Sequence, residues 1–182
     1  MDKKIRINKF LSQKGFCSRR EADKFILDER VTINGIIAKM GEKIDPEDDV
    51  SVDGERISKK INKKIYIILN KPKGIVCTTD SSVEKDNIID YINYPKRIFP
   101  IGRLDKSTTG LILLTNDGET ANRILKTANN NEKEYLVKVN RPIPESILKK
   151  MSEGVPILGK ITRKCVVEKV KTNQFKIILT QG

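Results

Sequence analysis

The chain has 182 residues and carries 36 basic against 24 acidic side chains, a formal net charge of +12, but no histidine. The missing histidine excludes serine–histidine and cysteine–histidine catalysis and most zinc sites. Neither GxGxxG nor GxxxxGKS or GxxxxGKT occurs, so nothing indicates a dinucleotide or nucleoside triphosphate site. The charge favours a polyanionic partner, with a lysine-rich surface that faces only solvent as the alternative.

Cysteine usage and hydropathy bear on where the protein resides. Cys17, Cys77 and Cys165 are odd in number and far apart, a pattern typical of free thiols in a reducing cytoplasm. No apolar run approaches the length that a bilayer requires, and the basic start leads into no signal-peptide core. We therefore expect a cytoplasmic, monomeric protein without a membrane partner, a metal, a nucleotide or another cofactor.

The first predicted element is a short helix. Residues 5–14 place Ile7, Phe10 and Leu11 at helical spacing, as one apolar stripe. Gly15 follows directly and suits the end of a helix.

A second helix is predicted to begin at Ser18, because the sequence SRRE that starts there has the spacing of a capping box. Arg19 and Arg20 fall in its first turn, where the helix dipole disfavours cations. A helix start that tolerates two guanidinium groups is suited to binding an anion such as phosphate. We therefore take Arg19 and Arg20, with the nearby Arg6 and Lys24, as candidates for binding a polyanion.

Beyond the helices the pattern changes to that of strands. The stretches VTINGIIA and DVSVDGERI predict two hairpins, which turn at Asn34-Gly35 and at Asp53-Gly54. The lysine-rich stretch 58–64 is typical of a solvated linker. We expect a small basic domain over residues 1–60 and a second domain over residues 61–182.

In the second domain, strands and helices are mixed without a regular βαβ repeat. Strands are expected at IYIILNK, IVCTT, LILLTN, EYLVKV, KITRKCVVEKV and QFKIILT, and helices at DGETANRILKTA and PESILKKMSEG. The fold class predicted from this order is α+β with a mixed, largely antiparallel sheet.

The turn GRLD places Arg103 and Asp105 just before the apolar run that starts at Leu111. An aspartate before a strand is most often a turn residue whose side chain caps backbone N–H groups. An arginine two residues away favours the ionised carboxylate if the two groups meet, but in a tight turn they need not share a side. A cap and a functional carboxylate both remain open at this point.

Longer stretches carry a family resemblance. INKFL, CSRREAD and the VTINGIIA hairpin resemble the alpha-L RNA-binding domain, which is named after a ribosomal small-subunit protein. GRLDKSTTGLILLTNDGE resembles the signature of ribosomal pseudouridine synthases of the small-subunit type, and NEKEYLVKV with GVPILGKITRKC resembles a large-subunit member of that family. The resemblance implies an enzyme that isomerises a uridine of ribosomal RNA, or also of tRNA, to pseudouridine without a cofactor.

The resemblance also implies roles for single residues. Asp105 would be the catalytic carboxylate, and Arg103 would fill the place of the flipped base or hold a flanking phosphate. Tyr135 of the KEY element would hold the flipped base, although an ordinary strand aromatic is the alternative. Lys71 and Lys133 would lie at the periphery of the active site, with a simple strand-ending turn as the alternative for Lys71. The expected RNA-binding residues are Arg6, Arg19, Arg20 and Lys24.

In the family, the catalytic domain continues into a segment with a basic partner for the aspartate, whereas this sequence stops at LTQG. We therefore expect an incomplete catalytic domain that has little activity alone and an exposed sheet edge. A non-catalytic RNA-binding or ribosome-associated protein with the same fold is the main alternative. A DNA-binding regulator is a weaker one, since no dimerisation element follows the two short helices.

Overall fold

The structure is a computed structural model that describes residues 4–57, 63–126 and 131–180. It divides into two compact units, Met1–Ala121 and Asn122–Gly182. The first unit contains α1 (Ile7–Gln13), α2 (Arg19–Leu27), α3 (Ile88–Ile92), β1 (Ile5–Arg6), β2 (Val31–Ile33), β3 (Ile36–Ile37), β4 (Lys43–Ile44), β5 (Val50–Val52), β6 (Glu55–Arg56), β7 (Tyr66–Lys71), β8 (Phe99–Ile101) and β9 (Gly110–Thr115).

Helix α4 (Gly118–Leu125) begins in the first unit and ends in the second. The second unit continues with β10 (Lys133–Lys138), α5 (Glu145–Glu153), β11 (Pro156–Ile157), β12 (Lys160–Ile161), β13 (Val166–Lys171) and β14 (Gln174–Leu179). No helix among the described residues is long and apolar enough to cross a membrane.

The first predicted helix is confirmed as α1, whose buried residues Ile7, Phe10 and Leu11 are the predicted stripe. The helix ends in a Schellman motif at Gly15, which has φ +73°. The Gly15 N–H donates to Ser12 O at 3.1 Å and the next N–H donates to Leu11 O at 3.1 Å. Glycine is needed here because a side chain strains this left-handed backbone.

The predicted capping box of α2 is also confirmed. Ser18 Oγ accepts a hydrogen bond from the Glu21 N–H at 3.1 Å, and Glu21 Oε2 accepts one from the Ser18 N–H at 2.7 Å. These bonds lower the pKa of Glu21, since they stabilise its charged form. Helix α2 buries Ala22 and Ile26, so its start is held in place while its first turn stays exposed.

Both predicted hairpins are present. Strands β2 and β3 turn at Asn34-Gly35, with φ of 51° and 81°, and β5 and β6 turn at Asp53-Gly54, with φ of 51° and 80°. Two left-handed residues in a two-residue loop define a type I′ turn, for which Asn-Gly and Asp-Gly are preferred. The order β3-β2-β5-β6 forms one sheet, which packs on α1 and α2 through a shared hydrophobic core.

Strand β9 lies between β7 and β8 in a second antiparallel sheet. The alternation of side chains along β7 and β9 turns Ile67, Leu69, Ile112 and Leu114 to one face, where they pack into a second hydrophobic cluster. The register pairs Tyr66 with Thr115 at one end of β7 and Lys71 with Gly110 at the other. This pairing brings the segments that follow β7 and precede β9 to the same end of the sheet.

At the Tyr66 end, Asp117 begins α4 as predicted. Its Oδ1 accepts hydrogen bonds from the N–H groups of Glu119 and Thr120 at 3.1 and 3.2 Å, which caps the helix. Only 7% of Asp117 is exposed, and its Oδ2 also meets Lys64 Nζ at 2.7 Å and the Tyr66 hydroxyl at 2.8 Å. The Lys64 contact is the main reason that the pKa of Asp117 lies far below its ordinary value.

One predicted strand of the first unit is wrong. The stretch IVCTT was expected to continue as a strand, but Val76 forms only an isolated bridge to Asn87. The Val76 N–H donates to Asp86 O, so this segment pairs with the following loop instead of extending the sheet. Helix α3 and strand β8 were not predicted. Asn87 was the available signal for α3, since its side chain caps Ile89 and Asp90.

In the second unit, β14 lies between β10 and β13 in an antiparallel sheet. Helix α5 was predicted, and its Leu148 joins Ile143 and Phe175 in a third hydrophobic cluster. The stretch KITRKCVVEKV was expected to form one strand but is split into β12 and β13. Residues 162–165 separate the two strands. In this segment the Thr162 N–H donates to Val155 O and the Cys165 N–H donates to Ser152 O, so these N–H groups do not pair with β14.

The α+β class with antiparallel sheets is confirmed, since the pairings between named strands of the described residues are antiparallel. The domain boundary at residue 60 stays a prediction, because residues 58–62, including most of the predicted linker, lie outside the described residues. The ends of the expected strand and helix at LTQG and KTA also lie partly outside them.

Lys71, at the end of β7, is the least expected feature of the core because its side chain is 0% exposed. Its Nζ donates hydrogen bonds to the carbonyls of Pro72 and Ile75, at 3.0 and 2.8 Å. The ammonium group therefore bridges the first and last residues of the loop 72–75. Buried polar groups are costly unless they are hydrogen-bonded, so the loop depends on this side chain.

We predict that Lys71→Met lowers the free energy of unfolding by about 2 kcal/mol. The partly buried Pro72 and Ile75 carbonyls both lose their hydrogen-bond partner, and an unsatisfied buried polar group costs about 1–3 kcal/mol. Lys73→Met is the matched control, because Lys73 is two residues away and exposed, and we expect it to change stability by less than about 0.5 kcal/mol. Urea denaturation of both variants checks this. Equal stability of the two variants would contradict the structural role of Lys71.

Candidate active site

The loop 102–109 joins β8 to β9 and carries Arg103 and Asp105. Polar contacts within the described part of the chain attach it to neighbouring segments. The Gly74 N–H donates to Lys106 O at 2.7 Å, the Leu104 N–H donates to Cys77 Sγ at 3.4 Å, and Lys106 Nζ meets Glu84 Oε2 at 2.9 Å. The loop that Lys71 closes is therefore bonded directly to the loop that carries Asp105.

Leu104 fixes the orientation of the two charged residues on either side of it. Its side chain packs against the hydrophobic cluster beneath the β7–β9–β8 sheet. Arg103 and Asp105 are both exposed. Among the described residues there is no ion pair or hydrogen bond between the Arg103 guanidinium and the Asp105 carboxylate. The two groups thus flank a partly buried anchor and are both accessible to a ligand.

The Asp105 side chain does not act as a cap. Within the described part of the chain, its carboxylate accepts no hydrogen bond, and only its backbone carbonyl is used, by the Thr108 N–H at 3.0 Å. Asp80 and Asp117 are different: Asp80 Oδ1 accepts from the Ser82 N–H at 3.0 Å, and Asp117 caps α4. The backbone makes the turn at Asp105 without help from its carboxylate.

Tyr135 and Lys133 lie in the second unit, on β10. Tyr135 pairs with Ile177 of β14 and is 47% exposed, so it is not a buried core aromatic. Lys133 is exposed at the start of the same strand. Strand residues two apart share a face, so both side chains belong to one face of this sheet.

The four candidate RNA-binding residues are all exposed in the structure. Arg6 precedes α1, Arg19 and Arg20 occupy the first turn of α2, and Lys24 lies one turn later. The capping box leaves the guanidinium groups of Arg19 and Arg20 on the outside of the helix start. This arrangement of cations beside a helix N-terminus suits phosphate.

The contacts that hold the candidate loop are not predicted by the sequence. Lys71 was placed at the periphery of the site, whereas its ammonium group is buried and bonded to two backbone carbonyls. Cys77 is the free thiol that the sequence predicts, but its sulfur also accepts a hydrogen bond from the Leu104 N–H. No local pattern signals either contact, because each depends on segments that meet only in the folded chain.

Comparison with known proteins agrees with this architecture. A family model described as RNA pseudouridylate synthase matches residues 65–181, and a model described as S4 domain matches residues 5–50. A solved structure titled "Crystal structure of pseudouridylate synthase" has a TM-score of 0.60 and 32% sequence identity, and the match covers 98% of this chain and 78% of that one.

Curated relatives carry names of the same kind. The dual-specificity RNA pseudouridine synthase RluF of Escherichia coli is 50% identical over 182 residues, which are 100% of this chain and 62% of the relative. Ribosomal large subunit pseudouridine synthase B of Bacillus subtilis is 34% identical over 152 residues, which are 82% of this chain and 62% of that protein. The chain thus spans about 62% of the length of these relatives.

The family assignment made from the GRLD and KEY elements is confirmed. The matched family model covers the β7–β9–β8 sheet, the loop with Asp105 and the sheet with Tyr135. With an S4 domain before it, the chain belongs to the family of RNA pseudouridylate synthases.

Proposed function

We propose that the protein is an RNA pseudouridine synthase that isomerises a specific uridine of large-subunit ribosomal RNA, with a tRNA uridine as a second target. The observation that carries the proposal is the exposed Asp105 carboxylate, which the fold anchors on both sides but does not use as a cap. The names of the relatives support the substrate class, since one is called dual-specificity and another a large-subunit synthase.

The proposed reaction needs a carboxylate and little else. The N1–C1′ glycosidic bond of uridine breaks, the base turns, and a C5–C1′ bond forms while a proton leaves C5 and N1 gains one. No atom is added, so the reaction is an isomerisation. An ionised Asp105 can assist as a nucleophile toward the sugar or the base, or as a general base.

The base must leave its stack before Asp105 can reach it, at a cost of a few kcal/mol. We propose that Arg103 fills the place that the base vacates in the stack, or binds a flanking phosphate. Its guanidinium is exposed beside Asp105 and does not pair with the Asp105 carboxylate. We propose that Tyr135 holds the flipped uracil, because the residue is 47% exposed on the strand that carries KEY. Lys133 would lie at the edge of the same site.

The N-terminal module would supply most of the affinity for RNA. Its exposed cations at the start of α2 suit phosphate contacts, which position RNA without reading its sequence. The choice of uridine would then follow from the shape of the RNA around the site.

We predict that Asp105→Asn abolishes pseudouridine formation while folding and RNA binding are retained, because the change removes the charge and keeps the shape. The activity is measured on RNA transcripts, by chemical labelling of pseudouridine, with the protein encoded by the whole gene. Asp86→Asn is the matched control, since it removes another exposed carboxylate from the neighbouring loop. Normal pseudouridine formation by Asp105→Asn would refute the assignment.

Arg103→Gln and Tyr135→Ala are expected to lower kcat more than they weaken binding of the whole RNA. Loss of a base–aromatic contact costs about 1–3 kcal/mol, which for Tyr135→Ala corresponds to about a 5- to 150-fold slower turnover. Leu136→Ala is the control, because Leu136 is the exposed neighbour of Tyr135 on the same strand. Single-turnover kinetics separate the two effects. Unchanged turnover of either variant would remove that residue from the site.

The double variant Arg19→Gln and Arg20→Gln is expected to bind RNA with a shallower salt dependence. Each lost phosphate contact to single-stranded RNA reduces the slope of log K against log salt by about 0.7. Arg56→Gln is the control, since Arg56 is already paired with Asp49. Filter binding of the full chain at several salt concentrations measures the slopes. A slope equal to that of the wild type would show that α2 does not contact RNA.

A further inference from the structure

The hairpin formed by β11 and β12 has an unusual residue at its tip. Its two-residue turn is Leu158-Gly159, with φ of 49° and 75°. The other two-residue hairpins described above have nearly the same φ values but place Asn34 and Asp53 at the first position. Asparagine and aspartate tolerate the left-handed region, whereas a bulky side chain such as leucine is strained there. Leu158 therefore occupies a position that the turn itself disfavours.

No packing inside the described fold offsets this strain, because the Leu158 side chain is 99% exposed. Ile161 and Ile157 on the two strands of the hairpin are also exposed, at 77% and 55%. A strained and exposed apolar residue indicates selection for a contact outside the folded unit.

The base of the hairpin is held by hydrogen bonds, in contrast to its exposed tip. The Thr162 N–H donates to Val155 O at 2.9 Å, and the Val155 N–H donates to Thr162 Oγ1 at 2.9 Å. Gly154, with φ +108°, joins the hairpin to the end of α5, where a Cβ would lie 2.5 Å from Thr162 O. The tip is thus carried on a well-anchored support, so that contact with a ligand costs little ordering of the chain.

The basic residues near the tip in the sequence favour an anionic partner. Residues 154–164 include Lys160, Arg163 and Lys164 but no acidic residue. The apolar surface of one short hairpin is far smaller than the area that a stable protein–protein interface buries. A single exposed leucine instead resembles the apolar wedges that some nucleic-acid-binding proteins insert between neighbouring bases, while nearby cations hold the phosphates.

We propose that the β11–β12 hairpin is an RNA contact in which Leu158 inserts as an apolar wedge between two bases of the bound RNA. The proposal rests on RNA being the partner of this protein, as in the proposed function, but not on pseudouridine formation. Lys160 and the following cations would pair with the phosphates on either side of the opened step. The leucine would be kept at a strained position because asparagine, the residue that suits the turn, cannot act as a wedge.

The test uses the full chain and a short RNA stem-loop with 2-aminopurine beside an unpaired uridine in its loop. Insertion of a side chain unstacks the probe base and raises its fluorescence, while anisotropy of an end-labelled copy measures affinity. For Leu158→Asn we expect about tenfold weaker binding and no fluorescence rise at saturation. The unfolding midpoint should stay equal or increase, because asparagine suits the left-handed backbone.

Two controls separate the wedge from general surface effects. Leu158→Met keeps an apolar tip and should retain both affinity and the fluorescence rise. Val170→Asn removes another exposed apolar residue of the same unit, from β13, and should change neither readout.

Several outcomes would overturn the proposal. These are wild-type affinity and fluorescence for Leu158→Asn, a lower unfolding midpoint for that variant, and no binding of the probe by the wild type. A wild-type dimer in sedimentation that Leu158→Asn converts to a monomer would show that the tip contacts a second copy instead. Because none of these readouts uses isomerisation, an inactive enzyme that unstacks the probe would still support the hairpin contact.

Discussion

The antiparallel pairing of β7 with β9 is the interaction on which the candidate site depends. Its register places Lys71 opposite Gly110 and Tyr66 opposite Thr115, so each end of the strand pair organises a different group of polar residues. A slip by one residue would turn the buried face toward solvent. It would also displace the loop after β7 relative to the loop before β9, which would disrupt the hydrogen bond from the Gly74 N–H to Lys106 O.

Each end of this strand pair holds a buried charged side chain, and the two side chains have different kinds of partner. At one end, Asp117 is buried among Lys64, Tyr66 and Thr120, and opposite charge with hydrogen bonds holds its pKa low. At the other end, Lys71 is buried and pairs with no carboxylate of the described residues, and two backbone carbonyls accept its hydrogen bonds instead. Neither charged group is free for chemistry, because each is committed to the structure. Asp105 differs from both, since the fold holds its backbone and leaves its carboxylate to solvent.

The basic N-terminal module and the β7–β9–β8 sheet belong to one compact unit. Lys9 Nζ and Gln13 Nε2 of α1 meet Glu119 Oε1 of α4 at 3.0 and 3.3 Å, and Arg97 donates to the Ser12 hydroxyl at 3.3 Å. The Lys9–Glu119 pair is largely exposed and is therefore worth little by itself. Burial lowers the pKa of Arg97, but that side chain still reaches across to α1. The cations at the start of α2 lie outside these contacts.

The sequence alone determined the local elements with strong short-range signals, and with them the family. Helix α1, the capping box of α2, the two Asn-Gly and Asp-Gly hairpins and the cap at Asp117 each depend on residues within a few positions of one another. GRLD and KEY are contiguous, so their resemblance to the family needs no tertiary information. The family match confirmed that assignment.

Only the tertiary structure decided which polar residues are committed to the fold and which are available. Lys71 is buried and holds the loop after β7, and Cys77 Sγ accepts a hydrogen bond from the Leu104 N–H. The Asp105 carboxylate caps no backbone N–H group of the described residues. The segment after Gly74 is not part of the sheet, because the Val76 N–H donates to Asp86 O, ten residues away in the next loop. The strained Leu158 could be recognised only from its φ value and exposure. The physical reason is common to all of them: burial and hydrogen-bond partners are set by segments distant in sequence, and no local pattern encodes them.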